Sequence, residues 1–290
     1  MMNGNRREAT GLALVAPSFL FLLVFFIIPA VLLFVCSFWL AQAFRLIPTF
    51  TFDNYSRALS AGGFYLLTLN ALKNGLWTAV ISVLLSFPAA YFIVYRTRGN
   101  LLFYLILVSW FASYLVRIYA WRTILGSNGL INTTLMQLGL IDQPLEVLLF
   151  SPFATILTLV HIMVPFALLL LVSALRDVRK EYIEAARDLG AGGFEVLTRV
   201  ILPMSYKGVV GAFMFTFVIS AGDFVTPQLL GGRDGMTTGI LIANQFRTAG
   251  NWPFGAAMAF ILLATFLMTY FMFVRLLDVL RLAPGRRFHD

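Results

Sequence analysis

Six runs of mostly apolar residues divide the chain: Leu12 to Trp39, Leu69 to Tyr95, Leu101 to Trp121, Phe150 to Leu175, Gly208 to Leu229 and Phe254 to Leu277. Each holds roughly 20 residues or more, the length an α-helix needs to cross about 30 Å of hydrocarbon. Backbone amides cannot stay unpaired in lipid, so these runs predict helices, and Pro17, Pro29, Pro88 and Pro165 inside them predict kinks. The expected fold class is all-α integral membrane, with six transmembrane helices forming a single domain over residues 1–290. Two connections carry patterns of their own. From Gly129 to Gly139 the residues Ile131, Leu135 and Leu138 recur at helical spacing, which predicts either a short interfacial helix or a structured loop. From Glu181 to Pro203 the chain reads EYIEAARDLGAGGFEVLTRVILP, dense in charge in its first half and split by glycines.

That second segment predicts two short helices. Ile183 and Ala186 share one face of the first, while Phe194, Leu197 and Ile201 line one stripe of the second. Lys180 and Glu184, Glu184 and Arg187, and Glu195 and Arg199 stand at ion-pairing spacing. Gly190, Gly192 and Gly193 separate the helices, because glycine tolerates the left-handed backbone that ends a helix. The expected product is an L-shaped helix pair.

Composition agrees with the hydropathy pattern. Of 290 residues 60% are hydrophobic and 12% charged, which leaves no stretch polar enough for a separate soluble catalytic domain. The first run is about twice the length of a signal-peptide core and is expected to stay as an anchor. Cys36, the single cysteine, follows Val35 rather than a small residue, so a packed thiol is expected instead of a lipidated one.

Charge sets the expected orientation. With the N-terminus in the cytoplasm, 14 of the 21 basic residues fall inside, among them Arg6, Arg7, Arg96, Arg98, Arg187, Arg281, Arg286 and Arg287. Arg45, Arg57, Lys73, Arg117, Arg122, Arg233 and Arg247 fall on or toward the outer side, the asymmetry of the positive-inside rule. Both termini and the segment 176–203 are then cytoplasmic in a multi-pass membrane protein. The net charge of +8 follows from topology and calls for no nucleic acid partner. No G-x-x-x-x-G-K-[ST] loop occurs, so any ATP is hydrolysed by another subunit.

Glu184, Ala185, Ala186, Gly190, Leu202 and Pro203 carry a resemblance. With three residues between Ala186 and Gly190, and nine between Gly190 and Val200, the segment resembles the EAA loop of ABC importer permeases, departing from it in Val200 where the family favours isoleucine. The resemblance implies a type I ABC importer permease whose loop, 176–203, docks into a cytoplasmic ATP-binding subunit as coupling helix. SYLVRIYAWRTILGSNGLIN (Ser113 to Asn132), ISAGDFVTPQLLGG (Ile219 to Gly232) and NQFRTAGNWPFGAAMA (Asn244 to Ala259) resemble the spermidine/putrescine-type polyamine permeases. They are shared with relatives that carry opines, other amino compounds or iron chelates. The implied partners are a homologous second permease, two ATP-binding cassette subunits that hold ATP and Mg, a periplasmic substrate-binding protein and membrane lipid, with no cofactor in this chain itself.

Ionisable residues inside spans are costly unless paired or facing water. Arg117 lies 16 residues beyond Leu101 and Asp223 lies 16 beyond Lys207. At 1.5 Å per residue both sit roughly 24 Å from the cytoplasmic edge, where they could meet. Two readings follow: an ion pair that joins the helices, or Asp223 lining the translocation path and receiving an ammonium group. Trp110, Tyr114, Tyr119 and Trp121 cluster near Arg117, as an interfacial belt or a cation-binding wall. The substrate-path candidates are thus Asp223, Arg117, Tyr119, Trp110 and Trp121. His161 has no visible ligand partners, and no metal site or catalytic constellation is expected. A secondary transporter remains the alternative of a different class, one that leaves the charged loop without a role.

Overall fold

The computed structural model describes residues 14–42, 45–97 and 99–279. Arg6, Arg7, Arg98, Arg281, Arg286 and Arg287, and the start of the first expected span, lie outside them. The described chain forms α1 (Leu14–Cys36), strands β1 (Leu40–Gln42) and β2 (Arg45–Ile47), and helices α2 (Asp53–Ser60), α3 (Gly62–Tyr95), α4 (Leu101–Trp110), α5 (Tyr114–Leu125) and α6 (Leu130–Gln137). Then come α7 (Pro152–Arg176), α8 (Lys180–Asp188), α9 (Gly193–Gly222), α10 (Val225–Leu230), α11 (Thr238–Arg247) and α12 (Trp252–Val279). α1, α3, α7, α9 and α12 are long and apolar enough to cross a membrane. The chain divides into two compact units, one comprising the chain up to Phe64 with Leu241–Ala264, the other Tyr65–Ile240 with the chain from Thr265.

In the first unit α1 leaves nearly all its apolar surface uncovered by its own chain. The backbone then reverses through the antiparallel β1–β2 hairpin, a feature the apolar pattern does not announce. Asn54 holds this reversal by donating to the carbonyls of Ser37 at 2.9 Å and Trp39 at 2.8 Å. Ala58 and Phe64 pack with Phe254 and Met258 as the unit's core.

The second unit is built around α7, whose side chains are the most enclosed of the long helices. Ser151 starts α7 by accepting from the Ala154 N–H, and Pro152 takes a first-turn position where no N–H is needed. Small residues let its neighbours approach closely. A Cβ built on Gly208 of α9 would stand 2.1 Å from the Cβ of Ala174, and one built on Gly75 of α3 would stand 2.6 Å from that of Ala221. Gly208→Val is therefore expected to force α9 away from α7 and destabilise the purified protein by about 1–3 kcal/mol, read as a lower thermal unfolding midpoint. Gly211→Val, facing open space, serves as the control that leaves the midpoint in place.

Two expectations about the spans are corrected. The third run is two helices: α4 ends at Trp110, the chain extends at Ser113, and the two parts are bent by 85°. Hydropathy is blind to this break because both sides of it are apolar. The straight-helix depth assigned to Arg117 therefore does not hold. In the fifth run the second loop helix is not separate, since α9 continues through Pro203 to Gly222. A π-turn over Leu197–Ile201 ends two residues before Pro203, as another over Leu23–Ile27 ends two residues before Pro29. The wider turn accommodates a ring that supplies no N–H, so the helix carries on.

Candidate functional site

The EAA segment folds as a wedge on one end of the second unit. α8 is helical from Lys180, with Ile183 buried and Ala186 half-buried against Leu175, Val178, Val196 and Ile201. The same core holds Ala90, Ile93, Leu168 and Leu171, so the wedge shares its packing with the span bundle. Tyr95 ties the end of α3 to this point by donating to the Leu175 carbonyl at 2.9 Å. α8 closes with a double bond pattern: the Ala191 N–H donates to Ala186 O at 3.0 Å and the Gly190 N–H to Arg187 O at 2.9 Å. This helix end requires a left-handed residue, and Gly190 takes it at φ +87°. Gly192 and Gly193 have no positive φ; Gly192 precedes α9, where its N–H donates to the Glu195 carboxylate.

Other details of the wedge differ from the sequence pattern. Glu195 and Arg199 pair at 3.6 Å, whereas Glu184 pairs with neither Lys180 nor Arg187. Leu197 and Ile201 face the core as expected, but Phe194 turns out and is 77% exposed, beside Leu189 at 90%. Glu184, Ala185 and Gly190 are exposed too, with Leu202 and Pro203 half-buried at the root of α9. The wedge thus offers a partner two apolar knobs and a carboxylate.

A cavity of about 420 Å³ opens elsewhere in the same unit, lined by Trp110, Tyr114, Arg117, Met163, Phe166, Asp223 and neighbouring apolar side chains. It lies where two helices break, between α4 and α5 and between α9 and α10. Non-helical backbone at membrane depth is tolerated where it lines a cavity. Its walls on α7, from Leu159 to Phe166, sit about midway along that helix. Trp110 meets Phe166 edge-on at 4.7 Å.

Asp223 is extended, between the last turn of α9 and the first of α10. Its carboxylate accepts from Tyr114 Oη at 2.8 and 2.7 Å, from the Val225 N–H at 2.9 Å and from Thr226 Oγ1. The ion pair with Arg117, one of the two readings, does not form. Both groups line the cavity, but Asp223 is used to cap α10 and tie it to α5. Arg117 is buried, and its Nε has no partner. Trp121 lies off the cavity and donates its Nε1–H to His161 Nδ1 at 2.9 Å, giving that histidine a partner the sequence did not reveal. Tyr119, 51% exposed, also lies off the cavity. Of the five candidates, then, Trp110, Arg117 and Asp223 come together. Thr226 is the residue that sequence reasoning left out of the site, and Tyr114, placed in the aromatic cluster near Arg117, was not among the path candidates; an Asp three residues before a Thr at the start of a helix was the available signal.

Residues 10–280 match the family described as binding-protein-dependent transport system inner membrane component. The chain belongs to this family. Within it, the chain is 35% identical over 235 residues to the spermidine/putrescine transport system permease protein PotB of Escherichia coli (strain K12), covering 79% of this chain and 84% of that protein. It is 30% identical over 271 residues to PotB of Haemophilus influenzae, with 91% and 94% covered. Among solved structures it resembles a chain of the bacterial alginate ABC transporter in complex with alginate pentasaccharide-bound periplasmic protein, with a TM-score of 0.69 at 16% identity, covering 91% of this chain and 92% of that one. The inward-facing methionine ABC transporter MetNI matches with a TM-score of 0.56 at 17% identity, covering 76% of this chain and 98% of that one. At such identities the two structures show the shared permease fold. The family places this permease in the inner membrane as a multi-pass subunit.

Proposed function

We propose that this permease is the transmembrane subunit of an ATP-driven importer that moves polyamines or related cationic amino compounds from periplasm to cytoplasm. Its carrying observation is the wedge: a two-helix element packed into the span core by Ile183, Val196 and Ile201, with Leu189, Phe194 and Glu184 left exposed. A rigid element transmits a displacement that a flexible loop would absorb. α9 runs unbroken from the wedge to Asp223, so motion at one end is delivered to the broken helices at the cavity. The termini and wedge are cytoplasmic in this reading. Two ATP-binding subunits supply ATP, Mg and hydrolysis, and a homologous second permease and a periplasmic binding protein complete the complex.

The solute class is supported by the two spermidine/putrescine permeases among the relatives. An aromatic wall of Trp110, Tyr114 and Phe166 suits an alkylammonium chain. The complex reconstituted in proteoliposomes with its binding protein is expected to take up labelled spermidine or putrescine only when ATP is enclosed with the ATPase subunits. Uptake that persists without ATP would favour a secondary transporter, and ATP-driven uptake of other solutes alone would remove the polyamine assignment.

A further inference from the structure

Arg117 has no use in the structure as it stands. Its residue is 7% exposed, its Nε is buried without a partner, and it lines the cavity at the break of two helices. A guanidinium carries five N–H donors and no acceptor, so it must be answered by an acceptor group. Asp223 is the carboxylate that shares the cavity, and its oxygens are already taken by Tyr114, Thr226 and the Val225 N–H. A lipid phosphate does not reach this point: the cavity meets α7 midway along its length, far from either headgroup layer of a hydrocarbon core about 30 Å thick. The walls are aliphatic and aromatic, which suits an organic anion better than a hydrated inorganic one.

We propose that Arg117 is a carboxylate-binding residue, and that the cavity is completed by a carboxylate from outside this chain. A planar carboxylate meets a guanidinium through two parallel hydrogen bonds, the geometry that satisfies most donors with one group. Two sources share that chemistry. One is an acidic side chain of the second permease; the carboxylate added beside Asp223 then turns a cavity with balanced charge into one that attracts a cation. The other is the carboxylate of the solute, which makes the cargo an amino acid-like compound. The inference rests on the permease reading for these two sources.

The test uses the full complex, with the second permease, the ATPase subunits and the binding protein. Arg117→Met and Arg117→Lys are compared with the unaltered chain in two measurements: recovery of the second permease on a tagged copy of this chain, and inhibition of uptake by 5-aminopentanoate against 1,5-diaminopentane. Arg117→Met is expected to leave the chain at its usual membrane level when expressed alone. If the carboxylate is the second permease's, recovery falls about tenfold; if it is the solute's, recovery holds and inhibition by 5-aminopentanoate alone weakens about tenfold, each the equivalent of one hydrogen-bonded charge contact. Arg117→Lys keeps the charge without the planar fork and falls between. Should Arg117→Met not accumulate, Arg117→Lys carries the test, a several-fold loss in either measurement supporting the proposal. Unchanged recovery and unchanged inhibition overturn it. A wild-type complex whose uptake neither compound inhibits removes the solute assignment, while the recovery measurement still decides the role of Arg117.

Discussion

Gly190→Val will abolish ATP-driven uptake while the chain stays in the membrane. Gly190 sits at φ +87°, and a Cβ there would meet nothing within 4 Å, so the penalty is in the backbone and not in a clash. Left-handed backbone costs an ordinary L-residue about 1–2 kcal/mol, and a β-branched one more. The chain escapes this cost by giving up the bonds that Ala191 and Gly190 make to Ala186 and Arg187, which frees the end of α8. A penalty of one or two kcal/mol lowers the population of the seated wedge by a factor of roughly 5–30. Gly190→Asn, which tolerates left-handed geometry, is expected to keep most uptake, with Gly190→Ala intermediate. Uptake and recovery of the ATPase subunit are measured together. If valine and asparagine behave alike, the conformation of Gly190 is not what the wedge needs.

Asp223→Ala will cost the folded protein more than any other single change around the cavity. It removes the acceptor of the Tyr114 hydroxyl, the Thr226 hydroxyl and the Val225 N–H, leaving the two hydroxyls, 2.9 Å apart, only each other and the N–H without a partner in a half-buried site. Two donors then lack an acceptor, each at a cost of about 1–3 kcal/mol when buried, so a total of about 2–4 kcal/mol is expected, with loss of uptake. A double-mutant cycle separates the partners. Tyr114→Phe with Asp223→Asn should show a coupling of about 1–3 kcal/mol, because the two side chains touch. Arg117→Gln with Asp223→Asn should show a smaller one, since no hydrogen bond joins them. Thermal midpoints of the four proteins in each cycle provide the measurement, and a larger coupling for Arg117 would restore the ion pair as the organising contact.

The sequence by itself determined the membrane setting, the long helices and the wedge. These depend on local quantities: the summed hydropathy of a run, the spacing of Ile183 and Ala186, and a glycine where a helix must end left-handed. Motif spacing from Glu184 to Pro203 was equally legible, because it is fixed along one stretch of chain. Tertiary structure alone decided the rest. The break between Trp110 and Tyr114 has no proline or glycine to mark it and exists because both halves find separate packing. Spacing put Phe194 on one stripe with Leu197 and Ile201, but the π-turn over Leu197–Ile201 departs from that spacing and Phe194 faces out. The partner of Asp223 was undetermined as well. Arg117 and Tyr114 are one turn apart on α5, and hydropathy cannot tell which of the two reaches a carboxylate more than a hundred residues away; the 85° bend before Tyr114 gave it to the hydroxyl and left the guanidinium facing the cavity.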